Sequence, residues 1–212
     1  ITSNIILVPY MSIFSKLTDP QDWPELKSRI RQGMILTAVT MLPLGALMMA
    51  LAYPIVRVVY ERGAFGAAAS EVSAQVLIAY SLGMFVYLGR DVLVRVFYAL
   101  GDGDTPFRIS IVNIGINALM CFVFVRFLNL GAPGLVLATV SVNIFSTIAL
   151  LWILNKRLNG LQLQTWIAPM LGLTVASILS GGASWGVLFG IQRVAGKQGF
   201  IGLLLELSLA GS

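Results

Sequence analysis

The sequence predicts an all-α fold, a polytopic bundle of transmembrane helices. Of the 212 residues, 58% are hydrophobic and only 11% are charged, whereas a soluble domain carries about 25% charged residues. The mean hydropathy is +0.88, and five long windows contain no Asp, Glu, Lys or Arg. None of these windows shows the alternation that a membrane barrel needs, so the spans are expected to be helices. A water-soluble globular enzyme is therefore disfavoured.

The uncharged windows define five full spans, each long enough for the roughly 20 residues that one crossing needs. A charged side chain at the bilayer centre costs about 2.5 to 3.5 kcal/mol, so these windows mark the hydrocarbon region. Trimmed at turn signals, they place the spans at residues 33–56, 76–100, 108–127, 133–154 and 167–190. Pro43 predicts a kink in the first of them. Residues 1–14 look like the end of a preceding helix and Phe200 begins another, so we interpret the chain as a piece of a longer protein.

Residues 15–32 are expected to form a cytoplasmic amphipathic connector. The segment Asp22-Trp23-Pro24-Glu25 is typical of a helix start, with a capping residue followed by proline in the first turn. Trp23, Leu26 and Ile30 would lie on one face of this helix, and the basic residues would lie elsewhere. We expect the segment to lie along the inner membrane surface before the chain turns into the first full span.

The distribution of Lys and Arg predicts the orientation, because cytoplasmic loops of membrane proteins are enriched in these residues. One set of alternate loops carries Lys16, Lys27, Arg29, Arg31, Arg108, Lys156 and Arg157, and the other carries Arg57, Arg62, Arg126, Arg193 and Lys197. We place the first set in the cytoplasm, with Trp152 and Trp166 as interface anchors beside the loop at 155–165. Basic loops account for the net charge of +5, and no nucleic-acid partner is predicted.

The composition argues against catalysis and metal binding. The chain contains no His, the commonest general base and metal ligand, and its single Cys121 allows neither an internal disulfide nor a thiolate cluster. Asp102 and Asp104 have the spacing at which two glycosyltransferase carboxylates hold a divalent metal. They also fit a helix start in which Asp104 is the cap and Pro106 lies in the first turn. We favour the cap, and predict no catalytic residue, metal or cofactor.

Three charged residues lie inside the second full span. With a rise of 1.5 Å per residue, Arg95 would lie about 7 Å from the cytoplasmic end and Arg90 about 15 Å from it. Asp91 and Arg95 are i,i+4 partners that can neutralise each other as an internal ion pair. Arg90 points about 100° away from that pair. We expect Arg90 to face a polar cavity, because charges inside membranes usually face water or a substrate path.

Weaker rows of polar residues follow one face of each later span. They are Ser110, Asn113 and Asn117 in the third span, Thr139, Asn143 and Thr147 in the fourth, and Thr174, Ser177, Gly181 and Ser184 in the fifth. Small and hydroxylated residues at this spacing are typical of helix-packing surfaces. Asn113, Asn117 and Asn143 are the better candidates for lining a cavity.

Two motifs make the sequence resemble a known family. The first contains Glu61, Arg62, Gly63 and Phe65 after a long helix, and the second contains Phe97, Tyr98, Asp104, Thr105 and Pro106 before the next helix. A third block runs from Gly134 to Thr139, with Asn143 after it. Together they resemble the MurJ (MviN) family of lipid II flippases, which belongs to the MOP exporter superfamily. The resemblance is good over residues 1–157, and the last spans match mainly in number and position.

The resemblance implies a fold of two helical lobes followed by a final helix pair. Residues 33–155 would then be spans of the second lobe and residues 156–212 the additional C-terminal pair. The implied function is movement of lipid II, the undecaprenyl-pyrophosphate-linked peptidoglycan precursor, from the inner to the outer leaflet of the bacterial plasma membrane by alternating access. The implied partners are that precursor, membrane lipids and the N-terminal lobe. The lipid tail would lie in an apolar groove that involves the last two helices.

The chain departs from the family pattern at Asp91, where members commonly carry a basic residue, whereas Arg95 keeps the second basic position. The principal headgroup residues of the family mostly lie in the first lobe, so they cannot be assigned within this chain. Three alternatives stay open at the level of sequence. They are a flippase for another polyprenyl-linked oligosaccharide, a membrane glycosyltransferase that uses Asp102 and Asp104, and a scaffold that does not transport.

Overall fold

The computed structural model describes Phe14, Leu17 and residues 19–61, 65–161 and 163–195, and side-chain surroundings up to residue 190. The α-helices in this part are α1 (Trp23–Ala50), α2 (Ala52–Tyr60), α3 (Ala67–Ala99), α4 (Asp104–Phe122), α5 (Gly131–Arg157) and α6 (Gln164–Ala195). A 3₁₀ turn (Pro20–Asp22) precedes α1, and a π-helical turn (Val123–Phe127) extends α4. Five helical segments are long and apolar enough to cross a membrane, so the predicted all-α fold with five full spans is confirmed. The two partial spans predicted at 1–14 and from 200 onward lie outside the described residues, apart from Phe14.

Helix α1 is longer at its start than we predicted. It runs without interruption from Trp23 to Ala50, so the expected turn between the connector and the first full span is wrong. Leu26 and Ile30 are fully buried and continue in register with Met34, Ala38 and Met41 on the buried face of the same helix. One apolar stripe at helical spacing packs against protein along its whole length, which explains why the amphipathic pattern was mistaken for a surface helix.

The first full span ends at Ala50 rather than at residue 56. Leu51 leaves the helical conformation with φ −102° and ψ 8°, and α2 begins at Ala52. The cause is Pro54, because a proline cannot donate to the carbonyl four residues earlier, which is that of Ala50, and its ring clashes with that carbonyl. In the first turn of α2 the missing N–H costs nothing. The helical assignment continues through Pro43, and the kink predicted there stays a prediction.

The described spanning helices pack as an open row in the order α6, α1, α3, α5, α4. Helix α3 contacts both α1 and α5 extensively, α6 packs on the outer side of α1, and α4 packs on α5. Among the described helices, α6 and α4 do not contact each other, so the row is not closed into a ring. Helix α4 buries only Pro106 within this part of the chain. The row therefore exposes extended helix faces that a closed bundle would cover.

The largest buried cluster of the described residues lies at one end of the helices, where α1 and α6 begin and α3 and α5 end. It joins Leu26 and Ile30 of α1, Phe97 of α3 and Leu154 of α5 with Trp166 at the start of α6. The same end carries the described residues of the basic set that we placed in the cytoplasm. Trp166 is only 4% exposed, so its predicted role as an interface anchor is wrong. Trp152 is 66% exposed, and the ammonium of Lys156 lies 5.8 Å from its ring centroid, as an interface position allows.

Glycines permit the closest helix contacts in the row. A Cβ atom at Gly45 in α1 would lie 2.9 Å from the carbonyl oxygen of Ser81 in α3, and one at Gly83 in α3 would lie 2.4 Å from Cγ2 of Val140 in α5. Small residues let helix backbones approach closely in membranes. In α6, Ser177 is buried and Gly181 packs against Ala46, which confirms packing for the middle of its polar row, whereas Thr174 is exposed.

Candidate functional site

The charged residues of α3 divide into an ion pair and a separate arginine, as the helix geometry predicts. Nη2 of Arg95 lies 3.3 Å from Oδ2 of Asp91, and the two side chains are 18% and 36% exposed. The predicted i,i+4 pairing is therefore present. It gives Asp91 a cationic partner on its own helix, so the departure from the family pattern at this position leaves no uncompensated carboxylate in the span.

Arg90 is held between α4 and α5. Its Nε atom donates to the hydroxyl of Ser146 at 2.8 Å, and its Nη2 atom donates to the hydroxyl of Ser110 at 3.2 Å. Within the described part of the chain, no carboxylate lies within ion-pair distance of Arg90. A guanidinium has five N–H donors. The two hydroxyls therefore orient the Arg90 side chain, leave further N–H donors for a ligand, and do not neutralise its positive charge.

Sequence reasoning missed Ser146. It is 1% exposed and lies on the buried stripe of α5 that also contains Val142 and Leu150. A lone serine on an otherwise apolar stripe at i,i+4 spacing is the signal that could have identified it. A buried hydroxyl without a partner is costly, so such a serine bonds either to a carbonyl of its own helix, as Ser177 does, or to a neighbouring helix, as Ser146 does.

The asparagines predicted to line a cavity lie on α4 and α5, the two helices that hold Arg90. Asn117 donates from Nδ2 to the hydroxyl of Thr139 at 3.3 Å, and Asn143 donates to the carbonyl oxygen of Thr139 at 2.9 Å. Asn113 lies one helical turn from Ser110 and is half-buried. From Ser110 to Asn117 the polar row spans about 10 Å at the rise of an α-helix. Arg90 with its two serines and Asn117 with Thr139 thus form one polar seam between α4 and α5. Asn143 instead bonds to its own helix and lines a cavity shared with α3.

A second polar surface, which sequence reasoning missed, lies on α3. Tyr80 and Tyr87 are 59% and 61% exposed and line a cavity of about 290 Å³ together with Thr139 and Asn143 of α5. Spacings of seven and then four residues put Tyr80, Tyr87 and Asp91 on the same face of one helix. This spacing is the sequence signal that could have identified the face. The walls of this cavity are mainly apolar, with Met48, Leu77, Met84 and Val140 beside the tyrosines. The two exposed tyrosines and the partly exposed Asp91–Arg95 pair form a polar stripe on the helix; we call it the α3 polar face.

Another cavity is apolar and lies between α1, α3 and α6. It has a volume of about 590 Å³ and is lined by α1, α3 and α6, including Met41, Met49, Phe85, Ile178 and Trp185. The polar atoms on its walls come mainly from hydroxyls such as Ser81 and Ser177, which are bonded to backbone carbonyls of their own helices. This groove suits a hydrocarbon chain rather than a charged headgroup.

The motif that follows α2 stabilises a helix end. Glu61 accepts from Nε of Arg57 at 2.8 Å, and this hydrogen bond lowers the pKa of the Glu61 carboxyl below its usual value. Phe65 packs against Tyr60, with ring centroids 6.0 Å apart. Arg62 and Gly63 lie outside the described residues. The described members of this motif therefore contact residues of α2 rather than a cavity.

The second motif stabilises the junction of α3 and α4, but the capping residue differs from our prediction. Asp102 accepts from the N–H of Thr105 at 3.0 Å and from its hydroxyl at 2.8 Å, whereas Asp104 is already the first residue of α4 and Gly103 precedes it as the capping position without a side-chain bond. The predicted cap at Asp104 is therefore wrong by two residues. Phe97 and Pro106 are buried, and Tyr98 is half exposed.

Asp102 also joins the junction of α3 and α4 to the end of α5, on the side that we predict to be cytoplasmic. Arg157, the last residue of α5, pairs with its Oδ2 atom. Burial alone raises the pKa of the Asp102 carboxyl, but the hydrogen bonds from Thr105 and the charge of Arg157 outweigh it and hold the pKa below the usual value. With one oxygen bonded to Thr105 and the other to Thr105 and Arg157, Asp102 is not arranged as a metal ligand. No group of three potential metal ligands occurs within the residues that the structure describes.

Comparison with known proteins decides the family. The family model described as "Lipid II flippase MurJ" matches residues 1–206. The chain belongs to this family. A "Probable lipid II flippase MurJ" of Synechocystis sp. is 52% identical over 206 residues, which are 97% of this chain and 38% of the relative. A protein of the same description from Vibrio cholerae is 30% identical over 187 residues, which are 78% of this chain and 33% of the relative.

A solved structure with the same architecture supports the fold. "Lipid II flippase MurJ, inward closed conformation" aligns with a TM-score of 0.71 at 21% identity, covering 98% of this chain and 40% of that one. The chain thus spans about two fifths of the length of the proteins it matches. Membership of the MurJ family favours a transporter over the membrane glycosyltransferase alternative.

Proposed function

We propose that the protein carrying this chain flips lipid II from the inner to the outer leaflet of the bacterial inner membrane, and that this chain supplies most of the second lobe of the transporter. The match of the MurJ family model to residues 1–206 is the observation that carries the proposal. In this proposal residues 1–14 end a preceding span, residues 15–32 are the cytoplasmic stretch before the lobe, residues 33–155 are lobe helices, and residues 156–212 form the C-terminal pair.

The open row of helices supports a role as half of a gated passage. A row that is not closed leaves the α3 polar face and the polar seam between α4 and α5 without a protein partner among the described helices. A polar surface that faced lipid would be costly. We infer that the N-terminal lobe covers this side, and that a water-filled cavity opens alternately to either leaflet as the two lobes rock against each other.

The positive charge of Arg90 in the seam fits an anionic headgroup. Arg90 keeps its full charge because its partners are hydroxyls, and such a cation in a cavity of low dielectric attracts a pyrophosphate more strongly than it would in water. The membrane potential, negative inside, favours outward movement of each net negative charge by about 2.3 kcal/mol per 100 mV. The apolar groove between α1, α3 and α6 would hold the polyprenyl chain.

Depletion of the full-length protein tests the proposal. Depleted cells should lyse, and lipid II should accumulate where a membrane-impermeant enzyme added outside cannot cleave it. Normal cleavage of lipid II combined with loss of a surface polysaccharide would instead identify the cargo as another polyprenyl-linked oligosaccharide.

Complementation of the depleted strain then tests the role of Arg90. Arg90→Ala should fail to restore growth although the protein accumulates, because the headgroup cation is lost while the extensive packing of α3 on α1 and α5 stays. Arg126→Ala, which removes an exposed cation in the π-helical turn, is the matched control and should complement. An Arg90→Ala protein that is inactive because it fails to accumulate would assign Arg90 to helix packing.

A further inference from the structure

A polar pocket of about 370 Å³ lies between the start of α1 and the start of α6, away from the α3 polar face. Its walls include Pro24, Lys27, Ser28 and Arg31 from α1 and Thr165 and Trp166 from α6. Nη2 of Arg31 donates to the carbonyl oxygen of Thr165 at 3.4 Å, which ties the two helices together at this point. The pocket lies at the ends of the helices that we predict to face the cytoplasm.

The pocket carries two positive charges, and none of the acidic residues that the structure describes pairs with them. Lys27 and Arg31 are i,i+4 neighbours on one face of α1, and like charges at that spacing destabilise a helix. The acid one turn away, Glu25, is paired with Arg29 at 3.2 Å. Among the residues that the structure describes, no ion pair involves Lys27 or Arg31. The positive end of the α6 dipole points the same way.

The apolar wall of the pocket indicates that the anion comes attached to hydrocarbon. Trp166 is 4% exposed and Leu161 is 2% exposed, and both line the pocket beside the two cations. A free anion needs only charge and hydrogen-bond donors. A site that combines two cations with a buried indole, where a span meets the membrane surface, also accommodates the first carbons of a lipid chain.

We propose that this pocket binds the phosphate of an anionic lipid in the cytoplasmic leaflet, with Lys27 and Arg31 sharing the phosphate oxygens. Bound there, the phosphate would offset the repulsion between the two cations and would hold α6 against α1. The proposal does not depend on lipid II being the cargo, because any lipid with an accessible phosphate and a net negative charge has the required chemistry.

Lipid titration of the purified full-length protein, read by native mass spectrometry, tests this site. The probes are phosphatidylglycerol and, as the zwitterionic comparison, phosphatidylcholine. Lys27→Gln and Arg31→Gln, singly and combined, are compared with Arg29→Gln, which removes the same charge from the same turn of α1. The combined variant should weaken phosphatidylglycerol binding roughly tenfold or more, since each cation near the surface contributes measurably to anionic-lipid binding. Arg29→Gln should stay within about twofold of the wild type, and Lys27→Arg should bind normally.

Three results would overturn the assignment. Equal weakening by Arg29→Gln would mean that the lipid responds to general surface charge rather than to this pocket. Unchanged binding in both single variants and the combined one would mean that the pocket does not bind the lipid. Displacement of the lipid by inorganic phosphate at equal concentration would make the pocket a site for free anions. Each variant is first checked for an unchanged elution profile and melting temperature, so that misfolding is not scored as lost binding.

Discussion

At the scale of single residues, Asp102 has the strongest structural role among the charged groups at the predicted cytoplasmic end. It accepts two hydrogen bonds from Thr105 and pairs with Arg157. The carboxylate therefore fixes the first turn of α4 and joins it to the end of α5. A carboxylate with this many partners contributes to stability only while it is ionised.

The stability contributed by Asp102 should depend on pH in a defined direction. Asp102→Ala should destabilise the full-length protein in detergent by about 1 to 2 kcal/mol at pH 7, chiefly through loss of the cap. Because the folded-state pKa is lowered, this contribution is complete above the ordinary carboxyl pKa of about 4 and is lost as the pH falls through the lowered value. Melting temperatures of the two proteins should therefore converge on acidification below about pH 4.

Asp104→Ala is the matched control for that measurement. Asp104 is the next carboxylate along the chain and makes no capping bond, so its removal should cost only the smaller interaction with the helix dipole. An equal loss of stability in the two variants, or a gap for Asp102→Ala that persists at low pH, would contradict the role assigned to the Asp102 carboxylate.

The residues that sequence could predict are those whose partners lie on the same helix. Asp91 and Arg95 pair as predicted because i,i+4 spacing alone brings them together. Ser146 escaped prediction because its partner, Arg90, lies 56 positions away in sequence. The cap was misplaced from Asp102 to Asp104 because a shift of two residues in a helix start, which sequence does not resolve, changes which side chain reaches the first N–H groups.

At the scale of helices, hydropathy located the spans but not their ends. Charge-free windows found all five described spans, because the cost of charge in hydrocarbon applies to any fold. The windows missed that α3 starts at Ala67 rather than 76 and that α1 starts at Trp23. Helices continue beyond the hydrocarbon region where their faces pack against protein. Other helices bury Leu26 and Ile30, and this burial cannot be inferred from the local sequence.

Contact between α3 and α5 should depend on the absence of a side chain at Gly83. A Cβ atom there would lie 2.4 Å from Cγ2 of Val140, so Gly83→Ala should force the helices apart and destabilise the protein by about 1 to 3 kcal/mol. The double variant Gly83→Ala/Val140→Ala should recover part of that loss, because the added methyl group then occupies space vacated by the valine. Thermal unfolding of the full-length protein measures both.

Gly172→Ala provides the control for helix propensity. No atom lies within 4 Å of a Cβ atom placed at Gly172 in α6, so this change should be neutral or slightly stabilising. If Gly83→Ala were equally harmless, or if Val140→Ala gave no recovery, the close approach of α3 and α5 would not be the packing contact described above.

At the scale of the whole molecule, the order α6, α1, α3, α5, α4 assigns different surroundings to faces that look alike in composition. Sequence did not predict this order, because the neighbours of a helix are set by contacts between distant segments. The order leaves the α3 polar face and the polar seam without cover among the described helices, whereas the exposed side of α6 is almost entirely apolar. One surface therefore requires water or a second lobe, and the other suits lipid.

Thiol labelling separates these two kinds of surface. In the full-length protein on a cysteine-free background, with Cys121→Ser in this chain, Tyr87→Cys should react with a membrane-impermeant maleimide in at least one state of the transport cycle. Leu179→Cys should stay unreactive. Tyr87 and Leu179 are 61% and 68% exposed and both lie near the middle of their helices, so depth and exposure are matched and only the medium differs.

The decisive comparison is the ratio of the two labelling rates in intact cells. A thiol in hydrocarbon is not ionised and does not meet a charged reagent, so water access at Tyr87 should raise its rate at least tenfold above that at Leu179. Equal protection of both positions would mean that the α3 polar face is sealed by protein or lipid in every state. In that case the open row would be a packing arrangement rather than one wall of a passage, and alternating access through this chain would be wrong.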